Sequence, residues 1–143
     1  MPIVTFDVVN KQYSNAQLQN LLIESSEFFA SVLGCPVDRI RAFVREHPAD
    51  LCAVGGALVS DTDAKAPFFS VVVLEGRPAA QRQELLAGIT QIVVKTLQVP
   101  IAKVRGAVLP VHPDNWAIAG EVASVVRSTE ISARDDKHPT GTN

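Results

Sequence analysis

The chemistry that this sequence could carry centres on a proline at position 2. The apolar and β-branched residues from Ile3 to Val9 predict a buried strand with Pro2 at its head. If Met1 is removed, as is usual before a small residue, Pro2 becomes a free secondary amine. Burial against an apolar sheet lowers the pKa of such an amine, which can then act as a base near neutral pH. The plainer alternative is that Pro2 only begins an edge strand, where a missing N–H costs nothing.

Composition and charge restrict the partners to be expected. The 143 residues are 47% hydrophobic with a formal net charge of −2, which predicts a soluble globular chain and gives no reason to expect nucleic acid or a membrane as partner. No apolar run reaches the roughly 18 residues of a membrane span, and no signal peptide is visible. Cys35 and Cys52 fit free thiols in a reducing cytoplasm. We expect a cytoplasmic protein with neither metal nor cofactor.

A strand, a helix and a second strand follow one another in the first sixty residues. Ser14-Asn15-Ala16-Gln17 is typical of a capping box at a helix start. Apolar residues then recur at helical spacing until Gly34, and Pro36 prevents continuation. Alternation over residues 39–46 predicts a strand, and residues 51–59 predict a short strand or hairpin. This half is therefore a β-α-β unit.

The second half repeats the first in the same order. Pro67 heads another strand, and another amphipathic helix follows it. Three later segments match: Val99-Pro100-Ile101 with Cys35-Pro36-Val37, Lys103-Val104-Arg105 with Arg39-Ile40-Arg41, and His112-Pro113 with His47-Pro48. We therefore expect one structural domain with four segments: a first unit at 1–60, a linker at 61–66, a second unit at 67–126 and a mobile C-terminal tail at 127–143.

A duplicated β-α-β unit predicts the architecture. The crossover makes the two long strands of each unit parallel, with the helix on one face. Two units side by side then form an α/β fold, in which a four-stranded sheet has both helices on the same face. The other face has no helix to cover it, so a symmetric oligomer is expected.

The second half also resembles a complete subunit of the 4-oxalocrotonate tautomerase family. The resemblance covers Pro67 through Gly120, with the strand ending Leu74-Glu75-Gly76-Arg77, the Pro100 to Arg105 segment and the Ile118-Ala119-Gly120 hairpin. The first half, Pro2 through Gly56, is similar more loosely. Together they resemble a fused, two-unit member of the tautomerase superfamily, which includes macrophage migration inhibitory factor (MIF). The resemblance implies a MIF-like fold, a homotrimer and a small carboxylate substrate.

The resemblance assigns catalysis to an amino-terminal proline and to an arginine at the end of the opening strand. Pro2 would be the base. Pro67 lies within the chain, so its nitrogen is part of a peptide bond and it should have no catalytic role. The arginine matches Arg77, and the corresponding place in the first half holds Gln12, or Tyr13 after a one-residue slip. The second unit would therefore supply a cation to the base of the first.

Two further positions of the family pattern fall on this chain. The family's second arginine matches both Arg105 and Arg41, which we assign to catalysis and to substrate binding respectively. The aromatic residue that lowers the polarity around the proline matches Trp116, where the first half has Cys52. Arginines can stabilise an enolate and orient a substrate carboxylate.

The activity implied is that of an isomerase, a tautomerase acting on a small 2-oxo or 2-hydroxy acid. An alternative is a lyase or hydratase similar to malonate semialdehyde decarboxylase, in which Asp38 would bind substrate. Against it, Glu75 stands where that branch has a second arginine, and Asp38 could simply occupy a turn. Leu74 and Ile118 replace the residues that hydratase-type dehalogenases need. A weaker alternative is a non-catalytic trimeric signalling protein.

Overall fold

The first β-α-β unit begins with a strand that lies in the middle of the sheet. The computed structural model describes residues 2–137. In the first half it contains β1 (Ile3–Val9), α1 (Asn15–Leu33), β2 (Arg41–His47), a hairpin of β3 (Ala53–Val54) and β4 (Ala57–Leu58), and the short helix α2 (Val59–Thr62). The predicted capping box is confirmed, since Gln17 N–H donates to Ser14 Oγ at 3.1 Å and Ser14 N–H donates to Gln17 Oε1 at 2.9 Å. Gly34 ends α1 with φ 63°.

The second unit follows the same order of strands and helices and is followed by one further helix. It contains β5 (Phe68–Leu74), α3 (Ala79–Leu97), β6 (Arg105–Val111), a hairpin of β7 (Ala117–Ile118) and β8 (Glu121–Val122), the short helix α4 (Ala123–Val126) and α5 (Ser128–Lys137). Gln98 takes the left-handed position after α3, with φ 53°, where the first unit has a glycine. Across residues 2–137, no helix combines the length and hydropathy that crossing a membrane requires.

The sheet has the order β2-β1-β5-β6. β1 and β2 are parallel, as are β5 and β6, while the two central strands β1 and β5 run antiparallel with Ile3 opposite Val72. The antiparallel pairing joins the units about an approximate twofold axis. It places the start of β1 beside the end of β5, and this juxtaposition forms the site described below.

Both long helices pack on one face of this sheet. Alternate residues of β1 and β5 point toward the helices and are almost fully buried, among them Phe6 and Phe69, whose ring centroids lie 6.3 Å apart. Leu21 of α1 and Ile89 of α3 meet them in one hydrophobic core. The predicted α/β fold of two β-α-β units with both helices on one face is confirmed.

The opposite face of the sheet is left open within residues 2–137. Phe43 on β2 and Leu109 on β6 are 51% and 49% exposed, although both lie in the middle of their strands. Phe68 at the start of β5 is also exposed. Large apolar side chains in such positions usually mark an interaction surface.

The structure differs from the sequence expectation after residue 126. Residues 128–137, which the sequence interpretation assigned to a C-terminal tail, form α5; residues 138–143 lie outside the described range. The helix is held by its polar residues, because Glu130 accepts hydrogen bonds from Arg39 at 3.0 and 3.1 Å. The predicted linker also differs, since its first two residues belong to α2.

One glycine should be sensitive to the addition of a single methyl group. Gly106 on β6 lies opposite Phe69, and a Cβ built there would come within 2.1–2.5 Å of three ring carbons of this core residue. We expect Gly106→Ala to lower the free energy of unfolding by about 1–3 kcal/mol, the usual cost of overpacking. Chemical denaturation measures this loss. In a Phe69→Leu background the added cost should shrink, and equal costs in the two backgrounds would contradict the proposed contact.

Candidate active site

A cavity of about 470 Å³ opens where β1 begins and β5 ends. Pro2 lines it from the first unit, and Val73, Leu74 and Arg77 line it from the second. The antiparallel register brings these residues together, because Ile3 pairs with Val72. The candidate base and the candidate cation therefore share one cavity within a single chain.

Arg77 is fixed by the start of α3. Its Nη1 donates to Gln81 Oε1 at 3.1 Å, and Gln81 Nε2 in turn donates to the carbonyl oxygen of Val32 at 2.9 Å. Burial, and then the positive charge of Arg134, lowers the pKa of Arg77 to about 10. The guanidinium thus stays charged at neutral pH. Its buried Nε has no hydrogen-bond partner among the described residues.

The cavity contains further charged residues that the sequence interpretation missed. Besides Arg77, its charged lining residues are Arg39, Arg127, Glu130, Arg134 and Lys137. Four of these lie on or just before α5, three or four positions apart. That spacing, within a segment interpreted as a tail, is the signal that could have revealed a helix with one charged face.

Four of the residues singled out from the sequence do not line this cavity: Asp38, Arg41, Arg105 and Trp116. Arg41 and Arg105 are exposed at equivalent strand starts, and each guanidinium donates to carbonyl oxygens of the turn before it, those of Asp38 at 2.9 Å and Ala102 at 2.7 Å. Trp116 is half-buried at the start of its hairpin. Arg41 does lie next to Pro2, since its backbone N–H donates to the Pro2 carbonyl oxygen at 3.1 Å, but none of the four residues lines the Pro2 cavity of the same chain.

A second, smaller cavity of about 200 Å³ lies at the other end of the central strands. It is the counterpart of the first under the approximate twofold, with Pro67 in place of Pro2 and Gln12 and Tyr13 near the place of Arg77. Gln12 Nε2 donates to the carbonyl oxygen of Ala64 at 3.0 Å. Burial raises the pKa of Tyr13, and the charge of Asp63 raises it further. Among residues 2–137, no arginine or lysine lines this cavity, so of the two cavities only the first is cationic.

Comparison with known proteins agrees with this two-unit geometry. A family model described as "Tautomerase enzyme" matches residues 2–62 and again residues 67–125. A 2-hydroxymuconate tautomerase from Pseudomonas putida is 35% identical over 54 residues, which are 38% of this chain and 86% of that protein.

Solved structures show the same fold over most of the chain. A protein designated Pt0534, crystallised after inactivation by 2-oxo-3-pentynoate, is 25% identical with a TM-score of 0.79 and covers 87% of this chain and 98% of its own. An asymmetric trimer of a fused 4-OT shares 18% identity, the same TM-score and the same coverage. Since the family pattern occurs twice in tandem, the chain belongs to the tautomerase family, as a fused two-unit member, and is an isomerase.

Proposed function

We propose that this tautomerase moves a proton between the enol and keto forms of a small 2-oxo or 2-hydroxy acid, with the amine of Pro2 as the base. The observation that carries the proposal is the shared cavity of Pro2 and Arg77. These residues come from different units, and the pairing of β1 with β5 brings them together. The proposal requires that Met1 be removed, because an amide nitrogen cannot accept a proton.

The proposed proton transfer needs only a base and a cation, and this cavity contains candidates for both. The Pro2 amine takes the proton of the 2-hydroxyl group, the electron pair moves through the conjugated system, and the protonated amine returns a proton to carbon. Negative charge on the substrate oxygen is stabilised by a guanidinium that is already in position. Arg77 fits this role because Gln81 holds it against the cavity wall. Substrate and product have the same composition, so no other reactant is consumed.

The substrate class follows from the relatives and from the charge of the cavity. The relative from P. putida is named for 2-hydroxymuconate, and Pt0534 is inactivated by a 2-oxo acid. Five cationic side chains and one carboxylate line the cavity, which suits an anionic ligand. The decarboxylase-like alternative has no such support, since Asp38 lies outside the cavity. We therefore take 2-hydroxymuconate as the first substrate to test.

A panel of enol acids tests this function. Ultraviolet absorbance follows loss of the enol, and proton NMR in deuterated buffer identifies the carbon that receives the proton. The purified chain should convert 2-hydroxymuconate well above the rate in buffer, and should convert its diester much more slowly. If no enol acid is converted faster than in buffer, the proposed activity is wrong.

We also propose that three chains assemble through the open face of the sheet. Apolar residues on that face, such as Phe43 and Leu109, and the unpaired edges of β2 and β6 support this assembly. The fused 4-OT with the same fold is a trimer. In such an assembly we assign Arg105 and Trp116 to the site of a neighbouring subunit, since they lie outside the cavity of their own.

Light scattering should give three times the mass of one chain at micromolar concentration. Phe43→Asp places a charge on the open face and should dissociate the assembly. Ile23→Asp is the matched control, because Ile23 on α1 is equally exposed, at 58%, but lies on the helical side. A wild-type monomer or dimer, or equal behaviour of the two variants, would refute the proposed interface.

A further inference from the structure

Helix α5 forms one wall of the Pro2 cavity. Glu130 on α5 forms an ion pair with Arg39 at 3.0 Å, and Arg127 lies 3.9 Å from the same carboxylate oxygen, Oε1. The pair with Arg39 connects α5 to the turn that follows α1. Glu130 is thus the carboxylate partner of two cations that line the cavity, Arg39 and Arg127. Among residues 2–137, Arg77 and Arg134 have no carboxylate partner.

Arg77 and Arg134 both line the cavity. Nε of Arg77 and Nη1 of Arg134 are both buried, and neither has a hydrogen-bond partner within the described chain. The two side chains are close enough for the charge of Arg134 to lower the pKa of Arg77, after the larger effect of burial. Two buried donors of like charge are unfavourable unless an anion lies between them. The arrangement is therefore suited to a ligand that carries a carboxylate.

We propose that Arg134 binds the substrate carboxylate together with Arg77, so that α5 is the element that selects anionic substrates. This inference rests on the tautomerase function proposed above and extends it to a residue outside both β-α-β units. Arg134 acts here in binding rather than in proton transfer. Its planar guanidinium can hold a carboxylate through two parallel hydrogen bonds, which a lysine cannot reproduce.

Calorimetric titration with trans,trans-muconate tests the binding step without turnover, because this dicarboxylate has no 2-hydroxyl proton to move. Arg134→Met should weaken its binding about 10- to 100-fold, the effect of one or two charged hydrogen bonds. Arg134→Lys should lose less. Lys95→Met is the matched control, since Lys95 is exposed on α3 and paired with Glu24 at 3.2 Å. Its affinity should stay within about twofold of the wild type, as expected for a distant exposed charge.

The outcomes separate this inference from the proposed function. If the wild type turns over no enol acid but Arg134→Met still weakens the binding of muconate, the proposed tautomerase mechanism is wrong, whereas the proposed carboxylate-binding role of Arg134 is retained. If turnover is intact and Arg134→Met binds muconate as well as the wild type, the inference is wrong. It is also overturned if Lys95→Met loses as much affinity, or if the wild type does not bind millimolar muconate.

Discussion

A chain that keeps its first methionine is expected to convert enol acids at least about a hundredfold more slowly than the processed chain, since general-base catalysis contributes at least this factor. The reason is chemical. In the unprocessed chain the nitrogen of Pro2 is an amide, and its lone pair is delocalised into the carbonyl group. Inserting a lysine between Met1 and Pro2 blocks processing and should produce this form. Turnover of 2-hydroxymuconate measures the loss.

Pro2→Ala is the control for this experiment. It keeps an amine at the same place, so it should retain part of the activity. Its pH–rate profile should shift, because the basicity and the solvation of a primary amine differ from those of the proline amine. Circular dichroism should show that the inserted lysine leaves the fold intact. Equal turnover by the inserted and processed chains would show that Pro2 is not the base.

Arg77→Ala should lose far more activity than Gln12→Ala. Arg77 lies in the cavity of Pro2, whereas Gln12 lies in the smaller cavity with Pro67, whose nitrogen is an amide. Removing a donor that stabilises the developing charge should cost about 2–4 kcal/mol, or roughly 30- to 1,000-fold in rate. Kinetics on 2-hydroxymuconate gives both values.

Arg77→Lys separates charge from geometry in the same assay. A lysine keeps the positive charge but loses the contact with Gln81, so an intermediate rate is expected. Gln12→Ala should stay close to the wild type, because its amide only connects to the segment before β5. Comparable losses at Arg77 and Gln12 would contradict the assignment of one active cavity per chain.

The order of the elements could be predicted from the sequence because the strand–helix–strand pattern is local and occurs twice. The capping box at Ser14 and the glycine at position 34 define α1, and both act as expected. Position 98 has no such signal, yet Gln98 takes the same left-handed conformation, because packing of the second unit repeats that of the first. Local sequence signals were therefore sufficient to predict where α1 ends, whereas tertiary packing determined where α3 ends.

The candidate site could be predicted only in part. Pro2 and Arg77 followed from the repeat, since the two units must place the start of one strand beside the end of another. Arg134 could not be predicted in this way, because α5 has few apolar residues. The position of α5 depends on an ion pair between its Glu130 and Arg39, which is distant in sequence. Polar helices held by long-range charge pairs give no hydrophobic periodicity from which to predict their contacts.

Covalent labelling with 2-oxo-3-pentynoate tests the central claim most directly. This electrophile inactivates the related Pt0534, and here it should react first with the most nucleophilic group of the cavity. Cys35 also lines the cavity as a free thiol, so the Cys35→Ser variant is labelled in parallel. We predict one adduct, on an N-terminal peptide that begins at Pro2, formed in step with loss of activity in both proteins. Loss of activity with that peptide unmodified, or a Cys35→Ser variant that resists inactivation, would contradict the assignment of Pro2 as the base.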